Sequence, residues 1–403
     1  MGCANSPGAA KVYTWTGNLI GDWKVDGNWD ALGIPKKTDH TAVLGSNIAT
    51  PATVVTNSDI TVRQIRFDSP VGYVVAGQGS IYLESQSVGV DAGVEVLQAA
   101  TAGVHEFQVR VNLGSDTTVN VASGATLNFA NLLNLGGAVL SKTGDGTMTV
   151  NNVLSTGGGT VQGLAGTISG SGTVGGDLDN SGATVAPGNS SGVLAVDGSY
   201  TQGSGGTLAM EIEGLAGPGE GGHDQLAVAG TASLDGTLDV TPVGGYADPT
   251  VRGNSDSFTL LTSTGLSGTF ATVNYDGAAL DSGGHAGNGL FRKVDYTAND
   301  VVFTNLLAKA GDVEGDSDVD ITDFNALASN YDPSGANAPH DWTEGDFDDN
   351  DTIDLTDFNG LATNFSPGGY GGGADQVPEP ASWVLAAMAI LAGTSLIGRV
   401  WRR

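Results

Sequence analysis

The sequence predicts a mainly β protein, a parallel β-helix or related solenoid with a β-sandwich as the alternative. A small α-helical module and a single apolar helix follow it. Three observations carry this expectation. Glycine supplies 64 of 403 residues, and Thr, Ser, Val, Ala and Asn fill much of the rest, a composition that favours strands and tight turns. Between Thr118 and Val240 short apolar runs are punctuated by glycine every few residues. Finally, "GDVEGDSDVDITDF" at Gly311 is written again as "GDFDDNDTIDLTDF" at Gly345, each copy leading into a helix-like pattern.

Charge narrows the function classes. Asp plus Glu number 44 against 15 Lys plus Arg, a net charge of −29. Nucleic acid rewards basic patches and is excluded as a partner; cations, Ca²⁺ above all, are favoured. Only 15% of residues are charged, which argues against a solvated disordered chain. The lone cysteine, Cys3, excludes an intramolecular disulfide framework and a Cys-based zinc site. By association, such a composition is common among bacterial surface proteins.

Residues 1–50 form a Trp-rich segment with Trp15, Trp23 and Trp29 close together. They read as a cap over the open end of the solenoid; the competing reading, a sugar-stacking platform, needs the rings exposed and coplanar. Export calls for a basic then apolar leader, and "MGCANSPGAAKVYTW" has neither. The expectation is a signal peptide missing from this sequence, with Met1-Gly2-Cys3 hinting at the tail of a lipobox.

Residues 51–245 are the solenoid proper. Gly-Thr-apolar recurs at Gly146, Gly159, Gly166, Gly172, Gly206 and Gly236, and "SGAT" at Ser123 and Ser181. Short β-prone triplets between glycine turns suit coils that bury a small apolar face only by stacking. "LSKTGDGTMTV" (Leu140 to Val150) resembles the autotransporter-associated β-strand repeat, in which Leu-x-Lys-x-Gly-x-Gly-Thr opens a coil. Val185 to Ile212 is similar to passenger-domain sequence, and residues 246–308 look like the β-rich cap that closes such a solenoid. These resemblances imply architecture, not activity or secretion route.

Catalysis on such a span would need paired carboxylates, or Ca²⁺ with a basic residue, on adjacent coils. Lys142 is the only basic residue between Arg110 and Arg252, and the five histidines (40, 105, 223, 285, 340) are scattered. "GNSSG" at Gly188 fits Gly-x-Ser-x-Gly, and "GSGTVG" at Gly170 fits Gly-x-Gly-x-x-Gly. Neither is followed by the helical pattern its chemistry requires, so both read as turn glycines and the chain as no enzyme.

Residues 309–368 carry the strongest signal. Counting Asp312 as position 1, side-chain oxygens fall at 1, 3, 5, 9 and 12: Asp312, Glu314, Asp316, Asp320 and Asp323. The second copy supplies Asp346, Asp348, Asn350, Asp354 and Asp357, and position 7 offers a carbonyl, Asp318 or Thr352. This is the loop logic of an EF-hand and suits two Ca²⁺ sites. Val319 and Ile353 at position 8 are expected where paired loops touch. Ile321, Phe324, Leu327 and Ala328, and their repeat at Leu355, Phe358, Leu361 and Ala362, form apolar helical stripes. Fifteen acids and no Lys or Arg lie between Gly311 and Pro367, but a solvated acidic linker would not keep this spacing twice. Two loop-helix units of this kind resemble a type I dockerin, which implies a cohesin-like partner met through positions 10 and 11. Those positions are Ile321-Thr322 and Leu355-Thr356, not the usual Ser-Thr, and position 6, usually Gly, is Ser317 and Asp351.

After a Gly-rich linker (369–376), residues 377–403 hold Pro378-Glu379-Pro380, an uncharged run from Ala381 to Gly398, and Arg399, Arg402 and Arg403. Eighteen residues of helix span about 27 Å, close to a bilayer core, and the arginines would stay cytoplasmic. Pro-Glu-Pro, one span and an arginine cluster in this order resemble the PEP-CTERM sorting signal, which implies an exosortase partner, transient anchoring in the inner membrane and a polysaccharide-rich surface or biofilm setting. The combined expectation is a non-catalytic, Ca²⁺-binding, exported surface or matrix protein. The alternatives are a dockerin-bearing polysaccharide hydrolase or lyase and a carbohydrate-binding adhesin that holds exopolysaccharide.

Overall fold

The computed structural model describes residues 11–370 other than 18 and 102, and the backbone alone at 153–157. The chain separates into two compact units. The first comprises residues 11–249, 255–284 and 292–305; the second comprises 250–254, 285–291 and 306–370. The second unit thus takes 250–254, 285–291 and 306–308 from the region 246–308, which the sequence assigns to the solenoid's cap.

The first unit is built of strands stacked in three parallel ladders. One starts with Lys11–Thr14 on His40–Gly45 and continues through Gln64–Asp68, Ala92–Val96, Thr117–Val121 and Val139–Thr143. A second joins Ile60–Val62, Ser80–Leu83, Arg110–Leu113 and Leu133–Asn134. The third runs from Ile20–Asp22 and Ala52–Val55 to Thr237–Pro242 and Thr272–Tyr275, where the antiparallel strand Ala278–Ala279 ends it. The first two merge into one 20-stranded sheet because Val153–Gly163 and Thr173–Asn180 each pair with both. Sequential parallel stacking of this kind is consistent with a solenoid and does not match the antiparallel sheets of a sandwich.

The stacking explains the Gly-Thr-apolar recurrence. Thr126, Thr147, Thr167, Thr184, Thr207, Thr237 and Thr272 stand in one register on the third ladder. The residue after each points inward, and Leu127, Met148, Ile168, Val185, Leu208 and Leu238 are all fully buried. Each such side chain contributes about 1.5–3 kcal/mol through burial, and only because the next coil covers it. Coil length is free to vary while this register is kept. Val161 pairs with Leu178, seventeen residues on, whereas Ala232 pairs with Leu266, thirty-four on. Insertions at the corners absorb the difference, so the sequence spacing is irregular although the ladder is regular.

The three clustered tryptophans are interior. Trp15 and Trp23 are fully buried and Trp29 nearly so; Trp29 meets the other two edge-on at 82° and 62°. A Cβ on Gly17 or Gly21 would fall 2.5 or 2.6 Å from the Trp15 ring. These rings fill the first coil and offer no coplanar exposed face, so the sugar-platform reading of them is overturned.

Lys142, the lysine of the repeat motif, is fully buried. Its ammonium donates to the carbonyls of Thr143 (2.9 Å), Gly144 (2.8 Å) and, one coil on, Ala165 (3.0 Å). Burial draws its pKa down to about 8, with Asp145 opposing. The motif glycines serve the same corner: a Cβ on Gly146 would sit 2.2 Å from the Ala122 carbonyl oxygen. Register continues this corner from Lys142 to Gly163, Asn180 and Gln202, and the last donates to the Asp235 and Thr237 carbonyls. Polar side chains there tie turn carbonyls of successive coils together.

No helix among the described residues is long and apolar enough to cross a membrane. Pro378, Glu379, Pro380, the 381–398 span, Arg399, Arg402, Arg403 and Cys3 lie outside the described residues.

Replacing Lys142 by Met should keep the volume and leave three part-buried carbonyls without this donor. The expected loss is about 1–2 kcal/mol, read as a lower urea midpoint for the β-rich unfolding transition; an unchanged midpoint would show that the lysine is no staple.

Candidate metal centre

The second unit is organised around the twin loops. Helix α1 (Ile321–Ser329) follows the first and helix α2 (Leu355–Asn364) the second. The two copies are completed reciprocally. Val319 bridges Ser366, beyond α2, and Ile353 bridges Asp332, beyond α1. Gly311 abuts Leu361 of α2, while Gly345 abuts Leu327 of α1. Asn364 Nδ2 donates to the Ala310 carbonyl and Asn330 Nδ2 to that of Glu344. The backbone of position 8 in each loop therefore pairs with the segment past the opposite helix, while the Val319 and Ile353 side chains are buried in one shared cluster.

The helical stripes are narrower than the sequence pattern implied. Leu327 and Leu361 are buried, as are Asp323 and Asp357. Phe324 and Phe358 are half-buried and meet edge-on at 6.3 Å. Ile321, Ala328, Leu355 and Ala362 are exposed instead, because each short helix turns its first face toward its own loop. Thr322 and Thr356 are exposed beside them.

Position 12 does two jobs. Asp323 Oδ1 accepts from Val313 N (2.8 Å) and Oδ2 from Asp320 N (2.6 Å). Asp357 repeats this with Phe347 N (2.8 Å) and Asp354 N (2.9 Å). Asp320 and Asp354 in turn cap their helices through Thr322 N and Thr356 N, a capping box in each copy. Position 1 gathers the loop. Asp312 accepts from Gly315 N, Asp316 N and Ser317 N, and Asp346 from Asn350 N and Asp351 N.

Three carboxylate groups converge: Asp312, Glu314 and Asp323; Asp318, Asp320 and Asp323; and Asp346, Asp348 and Asp357, each with its oxygens within 4.8 Å of one another. Oxygens gathered this closely can share one cation. The donor set is all oxygen, which suits a hard cation. Asp318 brings its carboxylate, where the sequence reading used only its carbonyl, and its Oδ1 is buried without a hydrogen-bond partner. Asp316 is exposed and accepts from Asp318 N. Asn350 turns its Oδ1 to Thr352 N and Thr352 Oγ1, and Asp354 remains the helix cap.

Electrostatics agrees with a cation-seeking arrangement. Asp312, Asp323, Asp346 and Asp357 are at most 2% exposed. Burial, with Asp323 nearby, pushes the Asp312 carboxyl up despite its donors. Burial and Asp323 raise Glu314 to about 8, and burial with Asp316, Asp320 and Asp323 raises Asp318 to about 6. Burial and the neighbouring Asp357 and Asp346 raise Asp348.

Sequence reasoning missed two residues around the first loop. Trp342 Nε1 donates to the Asp312 carbonyl (2.7 Å), and the Tyr370 hydroxyl donates to Asp312 Oδ2 (2.6 Å). Tyr370 left one trace in the sequence: the first copy has Ala336 at the matching place. In the other unit, Gly188 of "GNSSG" (φ 88°) opens a turn pinned by buried Asp224, whose Oδ1 accepts from Gly192 N and Oδ2 from Glu211 N; the strand Val193–Val196 follows it. "GSGTVG" likewise bridges Thr167–Gly170 and Thr173–Asn180. Compared with known proteins, the chain matches no protein-family model and no curated protein.

Position 6 is left-handed in both loops, at φ 72° for Ser317 and 64° for Asp351. A side chain there costs about 1 kcal/mol relative to glycine. Ser317→Gly and Asp351→Gly should each raise the melting temperature of the helical unit in EDTA, the second more because it also removes a charge. A lower melting temperature for both would refute strain at this position.

Proposed function

We propose that this chain is an exported, non-catalytic surface or matrix protein, whose twin-loop unit is a dockerin-like module holding two Ca²⁺ ions. The observation that carries the reading is the paired burial of Asp312 with Asp323 and of Asp346 with Asp357, in a segment with no Lys or Arg to neutralise them. In the first loop Asp312, Glu314, Asp318, Asp320 and Asp323 would ligate; in the second, Asp346, Asp348 and Asp357, with Asn350 and the Thr352 carbonyl to complete the shell. Bound Ca²⁺ supplies charge neutralisation and a fixed loop geometry. The exposed Ile321, Thr322, Leu355 and Thr356 support a protein-binding face of cohesin-accepting type on the paired first helical turns. The solenoid serves as a stalk, and the PEP-CTERM-like tail, known here from sequence, would direct exosortase sorting at the membrane.

Calorimetric titration of the full chain should find two Ca²⁺ sites, with Asp323→Asn and Asp357→Asn each removing one. No heat at about 1 mM Ca²⁺, the weak end for extracellular modules, would sink the reading.

The pH dependence should change sign with the metal. In the metal-free protein Glu314 (about 8), Asp318 (about 6), Asp312 and Asp348 are all raised. The folded state then holds protons that an unfolded chain has released above about pH 4. Between about pH 4 and 8 the metal-free helical unit should gain stability as pH falls. With saturating Ca²⁺ the same carboxylates must be deprotonated, and stability should fall on acidification. Thermal melts at pH 5 and 8, in EDTA and in Ca²⁺, test both signs; the same sign in both conditions would contradict the assignment.

A further inference from the structure

The two loops share a backbone plan but not their surroundings, and the difference centres on Tyr370. The segment after α2 folds back onto the first loop. Ser366 pairs with Val319 in both directions, Ser366 N donating at 2.9 Å and Val319 N at 3.3 Å. Tyr370 N donates to the Ser317 carbonyl at 2.9 Å. The Tyr370 hydroxyl donates to Asp312 Oδ2 at 2.6 Å and accepts from Lys309 N at 2.8 Å. The Lys309 ammonium lies over its ring, 4.6 Å from the centroid. Around the second loop Asp332 N donates to the Ile353 carbonyl, but the place of Tyr370 is taken by Ala336, which has no hydroxyl to offer Asp346.

We infer that Tyr370 is a positioning residue for the first Ca²⁺ site. Through Asp312 it couples Ca²⁺ binding there to the docking of segment 366–370, and the second site has no such coupling. The inference rests on the calcium reading above. A carboxylate oxygen can accept a hydrogen bond while it coordinates, and a donor on a ligand's own oxygen fixes its orientation; removing such outer partners typically costs 10–100-fold in metal affinity. By reciprocity, Ca²⁺ in the first loop favours the docked segment by the same factor that the docked segment favours Ca²⁺. The charge over the ring is a separate contact, and the hydroxyl is the group that reaches the ligand.

The test uses the full chain with Asp357→Asn, so that calorimetric heat reports the first loop alone. Adding Tyr370→Phe keeps the ring and deletes the hydroxyl. The expected result is Ca²⁺ affinity lowered about 10–100-fold with the EDTA melting temperature little changed. Lys309→Ala, which removes the charge over the ring, should leave the affinity within about twofold. Amide exchange in 366–370 should slow on adding Ca²⁺ to the wild-type chain, and lose that response in Tyr370→Phe while the second-loop amides keep theirs. Equal affinities with and without the hydroxyl would overturn the inference, as would a Lys309→Ala loss as large as that of Tyr370→Phe. If the wild-type chain binds no Ca²⁺ at all, the calcium reading itself has failed.

Discussion

A repeat this short cannot close a hydrophobic core alone, and both units are answers to that constraint. A solenoid coil turns one row of side chains inward, so Ile168 is buried only because Met148 and Val185 stack on either side. The twin loops solve the same problem with two members. Each leading glycine, Gly311 or Gly345, lets the partner copy's helix approach where any Cβ would meet Leu361 or Leu327 within about 3 Å. Each helix-ending asparagine satisfies a carbonyl of the other copy. In one unit the borrowed surface comes from the next coil and in the other from the twin.

Burial then sets the chemistry. In the solenoid corner Lys142 is tolerated because three carbonyls face its ammonium. In the twin loops the buried groups are carboxylates, and backbone N–H donors satisfy only part of their lone pairs. At an effective dielectric near 20, two such charges within 4.8 Å of each other repel by at least roughly 3 kcal/mol. A divalent cation at the centre of the group reverses that sign, and protons do so less completely, which is why the raised carboxyls and the convergence of oxygens are one observation made twice.

What the sequence revealed and what it hid follow from how local each signal is. The Gly-Thr-apolar triplet and the ligand spacing are local, and the strands and loops appear where those patterns predict. Coil number and register were hidden, since corner insertions such as the one between Ile212 and Gln225 break any fixed period. The reach of the helical stripe was overstated at Ile321 and Leu355, because a nine- or ten-residue helix flanking a loop spends its first turn on capping. The contribution of 250–254 and 285–291 to the second unit was also invisible. It depends on Arg252 lying over Trp342 and on Gly315 meeting the Phe291 ring, contacts between residues far apart in the chain.

Divergence within the pair is informative for the same reason. Where both copies must share backbone geometry they agree: the left-handed turns at 317 and 351, at 335 and 369, and at 311 and 345 match within about 30°. Where they differ, the change lies both around the loop, with Tyr370 against Ala336, and within it, with Asp318 against Thr352 at position 7. A duplicated unit under selection for folding alone would keep the contacts that close the core and let the rest drift. Each loop carries six acids, but five of them converge in the first loop and three in the second, and the first loop also receives the hydroxyl and the indole that hold Asp312 from both ends. More converging carboxylates and firmer positioning fall on the same loop, so the pair has a shared scaffold and unequal sites.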